Sequence, residues 1–334
     1  MRFRFIILLV LAVILSSCGA GETGVPATAT TVPTETPIQL PTLTATPTIP
    51  LAILVLPEDI DVETSNLYQT TVYDLTQASG MRFQIRNSMT SADLEPGLKI
   101  VIALLTDPGI AALAPAAPEV QFLAINVPGI APGGNVSVLG GSSQPEITGF
   151  LAGYTAAMLT EDYRIGMLMP KDNNDAIRMF NSFSGGMKFY CGVCRSYFFF
   201  QQPAPAFIDI GADQNRDDYD AFADVLISQY RIRTILIHPE IQTQDLIEYV
   251  GTTGTLMIGT ISPEQRPAGW IMTIQPDIIR AIEAAWPQLL AGQGGITVQS
   301  PLGLSDIDPD LLSPGKQRLV QKTLDDLQAG LIAP

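Results

Sequence analysis

Three cysteines, one histidine and 33 carboxylates against 18 lysines and arginines are the reactive side chains of this 334-residue chain. Their spacing narrows what they can do. Cys18 closes the string Leu15-Ser16-Ser17-Cys18, directly after an apolar run over residues 5–15 that Arg2 and Arg4 precede. A positive start, a short apolar core and small residues before a break make a secretory signal. The run falls well short of the roughly 20 residues a membrane-spanning helix needs. The four closing residues fit the bacterial lipobox, in which the cysteine thiol is acylated and becomes the new N-terminus. The expectation is a signal peptide over 1–17 and a diacylated Cys18 that holds the protein at the extracytoplasmic face of the cell membrane.

Cys191 and Cys194, in Cys191-Gly-Val-Cys194, are the other two thiols. Outside the cytoplasm such a pair can be a small-loop disulfide, free buried thiols, half a metal site or a redox couple. A metal would need two further ligands, and the chain offers only His238 and no second Cys-x-x-Cys. A structural disulfide or inert thiols therefore lead, with no metal expected. Catalytic signatures are lacking too: there is no Gly-x-Ser-x-Gly elbow, no phosphate-binding Gly-x4-Gly-Lys loop and no His-Glu-x-x-His. No enzyme activity and no cofactor are expected.

Threonine and proline dominate from Cys18 to residue 50, without lysine, arginine or aromatic residues after Cys18. Such a segment buries too little to offset the entropy of ordering, and proline keeps it semi-extended, so it reads as a tether. Loss of residues 1–17 removes two arginines and no acid, so the net charge moves from −15 to −17. That balance argues against nucleic acid as a partner, since phosphate contact needs a basic footprint. It also leaves the acyl chains as the membrane contact.

Some 284 residues remain after the tether, enough for two lobes with cores of their own. Apolar or alternating runs predict strands at 51–56, 81–86, 99–104, 120–125, 136–139, 163–168, 195–200, 233–238, 255–258 and 270–274. Helical periodicity covers 64–78, 144–159, 175–188, 217–230, 242–250, 277–290 and 314–327. Alternating strands and helices predict α/β lobes with parallel sheets flanked by helices, in two clusters. The expected division is 51–142 with a returning segment from about 263 to 334 as the N-terminal lobe, and 143–262 as the C-terminal lobe. Gly149 and Gly153 share one helical face and predict close packing of that helix against the sheet.

In such folds ligands sit beyond the carboxyl ends of the strands. That rule selects Glu58, Asp59, Asn126, Asp172, Asn173, His238 and Gln275 as ligand-binding candidates, with Asn87, Thr106, Asp107 and Asn174 beside them. Each has a structural alternative, as turn or cap residue for the acids and asparagines, and as a satisfied strand-end residue for His238. Trp270, Phe180 and Tyr197 could stack a planar ligand or simply be core.

The string Glu146-Ile-Thr-Gly-Phe-Leu-Ala-Gly-Tyr-Thr-Ala-Ala-Met-Leu-Thr160, then Tyr163-Arg-Ile-Gly-Met-Leu168 and Phe183-Ser-Gly-Gly-Met187, resembles the basic membrane protein family of ABC-transporter substrate-binding lipoproteins. Pro118-Glu-Val-Gln-Phe-Leu-Ala-Ile125 and the ending Gly330-Leu-Ile-Ala-Pro334 are similar to further segments of that family. The resemblance implies a type I periplasmic-binding-protein-like fold, with a small polar solute captured between the lobes and an ABC permease and ATPase as partners. It also implies nucleoside-like ligands, and here the chain departs. The family's acid-rich loop after the first strand is replaced by Pro57-Glu-Asp-Ile-Asp-Val-Glu63. The acid closing a later strand is Asn126. Thr260 stands near the place of an aspartate that would grip ribose hydroxyls, and Thr273-Ile-Gln275 lacks the family's lysine. A sensory lipoprotein that transports nothing is the alternative, and a surface hydrolase or redox protein a more distant one.

Overall fold

The computed structural model describes residues 48–140, 144–192, 194 and 204–334. The signal segment, Cys18, nearly all of the tether, the strand expected at 195–200 and Tyr197 lie outside the described residues. Within them, strands form two six-stranded sheets.

The first sheet contains β1 (Leu51–Val55), β2 (Arg82–Arg86), β3 (Leu98–Leu104), β4 (Gln121–Ile125), β5 (Val136–Gly140) and β11 (Thr297–Gln299), in the order β11-β5-β4-β3-β1-β2. All neighbours in it are parallel. β1 and β4 are buried at every position, as unbroken apolar runs should be when helices cover both faces. On one face lie α1 (Val62–Ala78) and α7 (Ile278–Leu290), which place Tyr68, Val72, Ile282 and Trp286 against Leu54, Ile100 and Leu123. On the other, α2 (Ile110–Ala116) packs Ile110 and Leu113 against Val101 and Phe122. β2 is the outer strand, and its Arg82 and Arg86 pair with Glu95 and Asp93 at 3.2 and 3.3 Å. Charge on a free edge discourages pairing with another chain.

The second sheet contains β6 (Ile165–Pro170), β7 (Ala206–Ile210), β8 (Thr234–Ile237), β9 (Leu256–Gly259), β10 (Trp270–Pro276) and β12 (Leu302–Ser305), in the order β12-β10-β9-β8-β6-β7. Only β12 runs antiparallel to its neighbour. One face carries α3 (Pro145–Leu159), α4 (Asn174–Cys191) and α8 (Pro314–Gln328). The other carries α5 (Tyr219–Asp224), which continues into a π-helical turn over Val225–Gln229, and α6 (Gln244–Thr252).

This pairing corrects the expected division of the chain. Only α7 and β11 return to the first sheet, whereas β10, β12 and α8 belong to the second lobe. β10 is not the last strand either, since the short β11 and β12 follow it. The chain therefore passes between lobes three times, from β5 to α3, from β10 to α7 and from β11 to β12. The links are bonded to one another. Ser300 Oγ donates to Gly140 O at 3.3 Å, Gln144 Nε2 to Ser300 O at 2.9 Å, and Asp277 N to Pro301 O at 2.7 Å. Because all three leave at the carboxyl ends of parallel strands, those two edges meet where the links run.

The glycines of α3 serve a helix rather than the sheet. An added methyl at Gly149 would overlap Met179 O, one at Gly153 would overlap Phe183 O, and one at Gly186 would overlap Phe150 O. The backbones of α3 and α4 touch, side by side and pointing the same way. The string that carries the family resemblance is thus a packing device. Cys191 and Cys194 are joined as a disulfide at the C-terminal end of α4, their Cα atoms 5.3 Å apart.

Overpacking a close contact costs about 1–3 kcal/mol where neighbours can yield, and backbone yields less than side chain. Gly153→Ala should therefore lower the free energy of unfolding by at least about 2 kcal/mol. Gly315→Ala, whose methyl would meet nothing nearer than Arg318 Nη2 at 3.9 Å, should raise it by about 0.4–1 kcal/mol. Urea denaturation of the two variants checks both signs.

Candidate functional site

Residues just past the parallel strands are held by the strand ends and by the helix starts that follow, so the sequence order strand–turn–helix delivers polar turns to one edge. In the second lobe the turn after β6 supplies Asp172 and Asn173, and the end of β8 supplies His238. Asn173 caps α4 by accepting the Ala176 N–H at 3.0 Å, and its Nδ2 donates to Glu240 Oε1 at 2.7 Å. His238 is 3% exposed, and its Nδ1 accepts the Glu240 N–H at 3.3 Å. Asn173, His238 and Glu240 thus form one bonded group bridging neighbouring strands. Asp175, in the first turn of α4, pairs with Arg178 at 2.7 Å, and Arg178 reaches Glu146 of α3 at 3.0 Å. Asp172 is exposed and sits at φ 56°, in the left-handed region.

Burial holds the His238 imidazolium pKa below its ordinary 6.5, against the opposing pull of Glu240 and Asp175. The ring is therefore neutral at pH 7, and the N–H accepted at Nδ1 leaves its proton on Nε2.

The first lobe presents Glu58 and Asp59 in an exposed turn between β1 and α1. Leu105 and Asn126, after β3 and β4, adopt φ of 59° and 50°. For non-glycine residues these are uncommon conformations. Other candidates have structural duties. Asp107 accepts the Gly109 and Ile110 N–H groups at 2.9 and 2.8 Å, and Asn87 Nδ2 donates to Leu56 O at 3.2 Å. Thr106 is half-buried and Asn174 exposed in the first turn of α4. Trp270 is fully buried in the core of the second lobe, with room for its ring made by Gly259, which removes it from ligand stacking. Phe180 packs on Phe207, ring centroids 4.8 Å apart.

Gln275 belongs to a different place. It lines a pocket of about 390 Å³ beside the second link, with Thr64 and Tyr68 of α1 on one side, Ser305 on the other and Asp277 between them. Its Nε2 donates to Ser305 Oγ at 3.0 Å. Tyr68 is 8% exposed, and burial, then Asp277, pushes its hydroxyl pKa up, so it remains a neutral donor. The two walls belong to different lobes, so an occupant would touch both. Behind Gln275 stands a carboxylate that the sequence did not single out. Asp306 Oδ2 accepts from Thr273 Oγ1 at 2.6 Å and from Ser262 Oγ at 2.7 Å, and Thr273 Oγ1 in turn accepts from Trp270 Nε1 at 3.2 Å. Gln242 Nε2 holds the same β9–β10 loop through Ile261 O at 2.7 Å.

The strand-end rule thus brings Asp172, Asn173 and His238 together, places Gln275 in the inter-lobe pocket and leaves Glu58, Asp59 and Asn126 on the facing edge. Glu240, Tyr68, Asp277 and Asp306 were missed. Glu240 was signalled only by its position two residues beyond His238, and Tyr68 reads as an ordinary core residue of an amphipathic helix. Among the described residues no group of histidine, cysteine and acidic side chains is placed to hold a metal, and no helix is long and apolar enough to cross a membrane.

No protein-family model and no curated protein matches the sequence. Solved structures do match. An ABC transporter system solute-binding protein from Conexibacter woesei is 16% identical, with 86% of this chain and 98% of that one covered at a TM-score of 0.55. A transcriptional activator of the comK gene from Bacillus halodurans is 12% identical, with 83% and 96% covered at a TM-score of 0.50. The chain therefore has the two-lobed periplasmic-binding-protein-like fold, each lobe a parallel sheet flanked by helices. Its structural neighbours are solute-binding and regulator proteins.

The unfolded chain takes up a proton at His238 near pH 6.5, and the folded protein only at a lower pH. Stability from this residue is present above about 6.5 and is lost as pH falls toward the folded pKa. Urea denaturation between about pH 7 and pH 5 should show that decline in the wild type and a flatter profile in His238→Gln.

Proposed function

We propose that this protein is an extracytoplasmic solute-binding lipoprotein of an ABC importer, closing its two lobes on a small polar ligand and presenting it to a permease driven by an ATPase. One observation carries the reading. Two parallel sheets meet at their carboxyl edges across three mutually bonded links, and a pocket there draws polar side chains from both lobes. Sites at such edges recur because strand ends and helix starts converge on them. The basic membrane protein family is the relationship that the 146–187 block supports, and a nucleoside-like ligand is what it suggests. Asn126, Thr260 and Gln275 stand where that family has acids and a lysine, so the ligand need not be a nucleoside.

The lipobox supports anchoring through Cys18, which places the domain outside the cell membrane on a threonine–proline tether. Cys18→Ser should move the protein from the membrane fraction to the soluble extracytoplasmic fraction. Retention of this variant in membranes would refute the lipid anchor.

A sensory role without transport is the second reading, since the same fold occurs in a protein named as a transcriptional activator. Copurification with a permease separates the two.

A ligand that binds only the folded state stabilises it by mass action, about 2.7 kcal/mol at a hundredfold excess over Kd. Among nucleosides, free bases, sugars and amino acids, at least one compound should raise the melting temperature by roughly 5 °C. Folded protein that responds to none would count against solute capture of these classes.

A further inference from the structure

We infer that His238 is the hydrogen-bond donor by which the second lobe recognises its solute, its Nε2–H reaching an acceptor atom of a ligand seated at the ends of β6 and β8. This rests on the solute-receptor reading above and assigns one contact on the same carboxyl edge of the second lobe, apart from the pocket that Gln275 lines.

The argument is one of exhausted partners. Nδ1 accepts the Glu240 N–H, so the single proton of the neutral ring lies on Nε2. Nε2–H bonds to no described residue, although the side chain is 3% exposed. The two carboxylates close enough to influence the ring are engaged elsewhere, Glu240 with Asn173 and Asp175 with Arg178. Neither takes the proton. Nε2 is not among the fully enclosed polar atoms left without a partner, so its proton keeps an opening through which an acceptor atom can reach it. A satisfied strand-end histidine would have closed that bond within the protein. The ring sits instead at the edge that the other lobe faces, beside an exposed Asp172 in a left-handed turn. Rigid presentation on a buried strand end also suits selection, because an analogue lacking the acceptor leaves the donor unpaired.

His238 is the only histidine in the chain, so its ring nitrogens give one unambiguous signal in a long-range 1H–15N spectrum of the full mature domain. At neutral pH the spectrum should show the proton on Nε2. A proton on Nδ1, or an imidazolium, would overturn the assignment. D-ribose, D-glucose, inosine and L-leucine at millimolar concentration are then added singly, with melting temperature read in parallel. A compound that stabilises the protein should move the Nε2 resonance. Stabilisation without that movement overturns the His238 contact and leaves the receptor reading standing. No stabilisation by any of the four counts against the receptor reading for these classes and removes the contact with it. For a stabilising compound, His238→Leu should bind about tenfold more weakly, whereas His238→Gln, which keeps a donor, should stay within a fewfold of wild type. Equal binding by all three proteins would sink the assignment.

Discussion

The backbone contact between α3 and α4 governs where the second lobe's polar edge lies. α3 leaves the first inter-lobe link directly, and at Gly149, Gly153 and Gly186 neither helix has room for a side chain. With no side chain between them, the helices have almost no freedom to slide, because any shift would put a Cα against a carbonyl oxygen. The contact therefore transmits the position of the link to the first turn of α4. There Arg178 ties Asp175 to Glu146, and Asn173 reaches across to Glu240 and so to His238. A packing constraint at a set of glycines thus becomes a statement about where a hydrogen-bond donor points.

Polar side chains along the two edges divide by whether the fold already uses them. Asp107 and Asn87 satisfy backbone groups that would otherwise be unpaired at a helix start and a strand end, and removal of such partners is costly. Asp306 gathers hydroxyls from β10 and from the β9–β10 loop, which fixes the loop to the strand that carries Gln275. Gln275 then donates to Ser305, the last residue of β12. These residues build the walls.

Elements whose character is local were legible in the sequence. Unbroken apolar runs at β1, β3, β4 and β6 announce strands buried on both faces, and the periodicity of α1, α4 and α7 announces helices packed on one side. Elements defined by their partners were not. β11 has three residues and β12 four, with no alternation to read, and they are strands only because β5 and β10 pair with them. α2 hides behind Pro108 and Gly109 and contains Pro115, so turn signals outweigh its helical ones. The second lobe's claim on β10 depends on a pairing with β9 that no local pattern encodes, which is why the expected boundary near residue 263 was misplaced. The site follows the same divide. Asn173 and His238 could be found because the end of a parallel strand is a place in sequence. Tyr68 and Asp277 could not, because they become neighbours only when α1 meets the second link.

The differences between this sequence and the family it resembles can be put in physical terms at Thr260. A carboxylate at the end of β9 can accept two hydroxyl hydrogens at once, whereas a threonine hydroxyl offers one donor and a weaker acceptor. In this protein that donor is turned inward, to Ile237 O at 3.4 Å. A diol could not be gripped there as a carboxylate would grip it. The neighbouring strand end carries a different group, a neutral imidazole at His238 near two carboxylates that bond to Asn173 and Arg178. Under the proposed receptor reading, the α3–α4 packing block and the strand-end polar groups are separate features, so the second can change while the first stays intact.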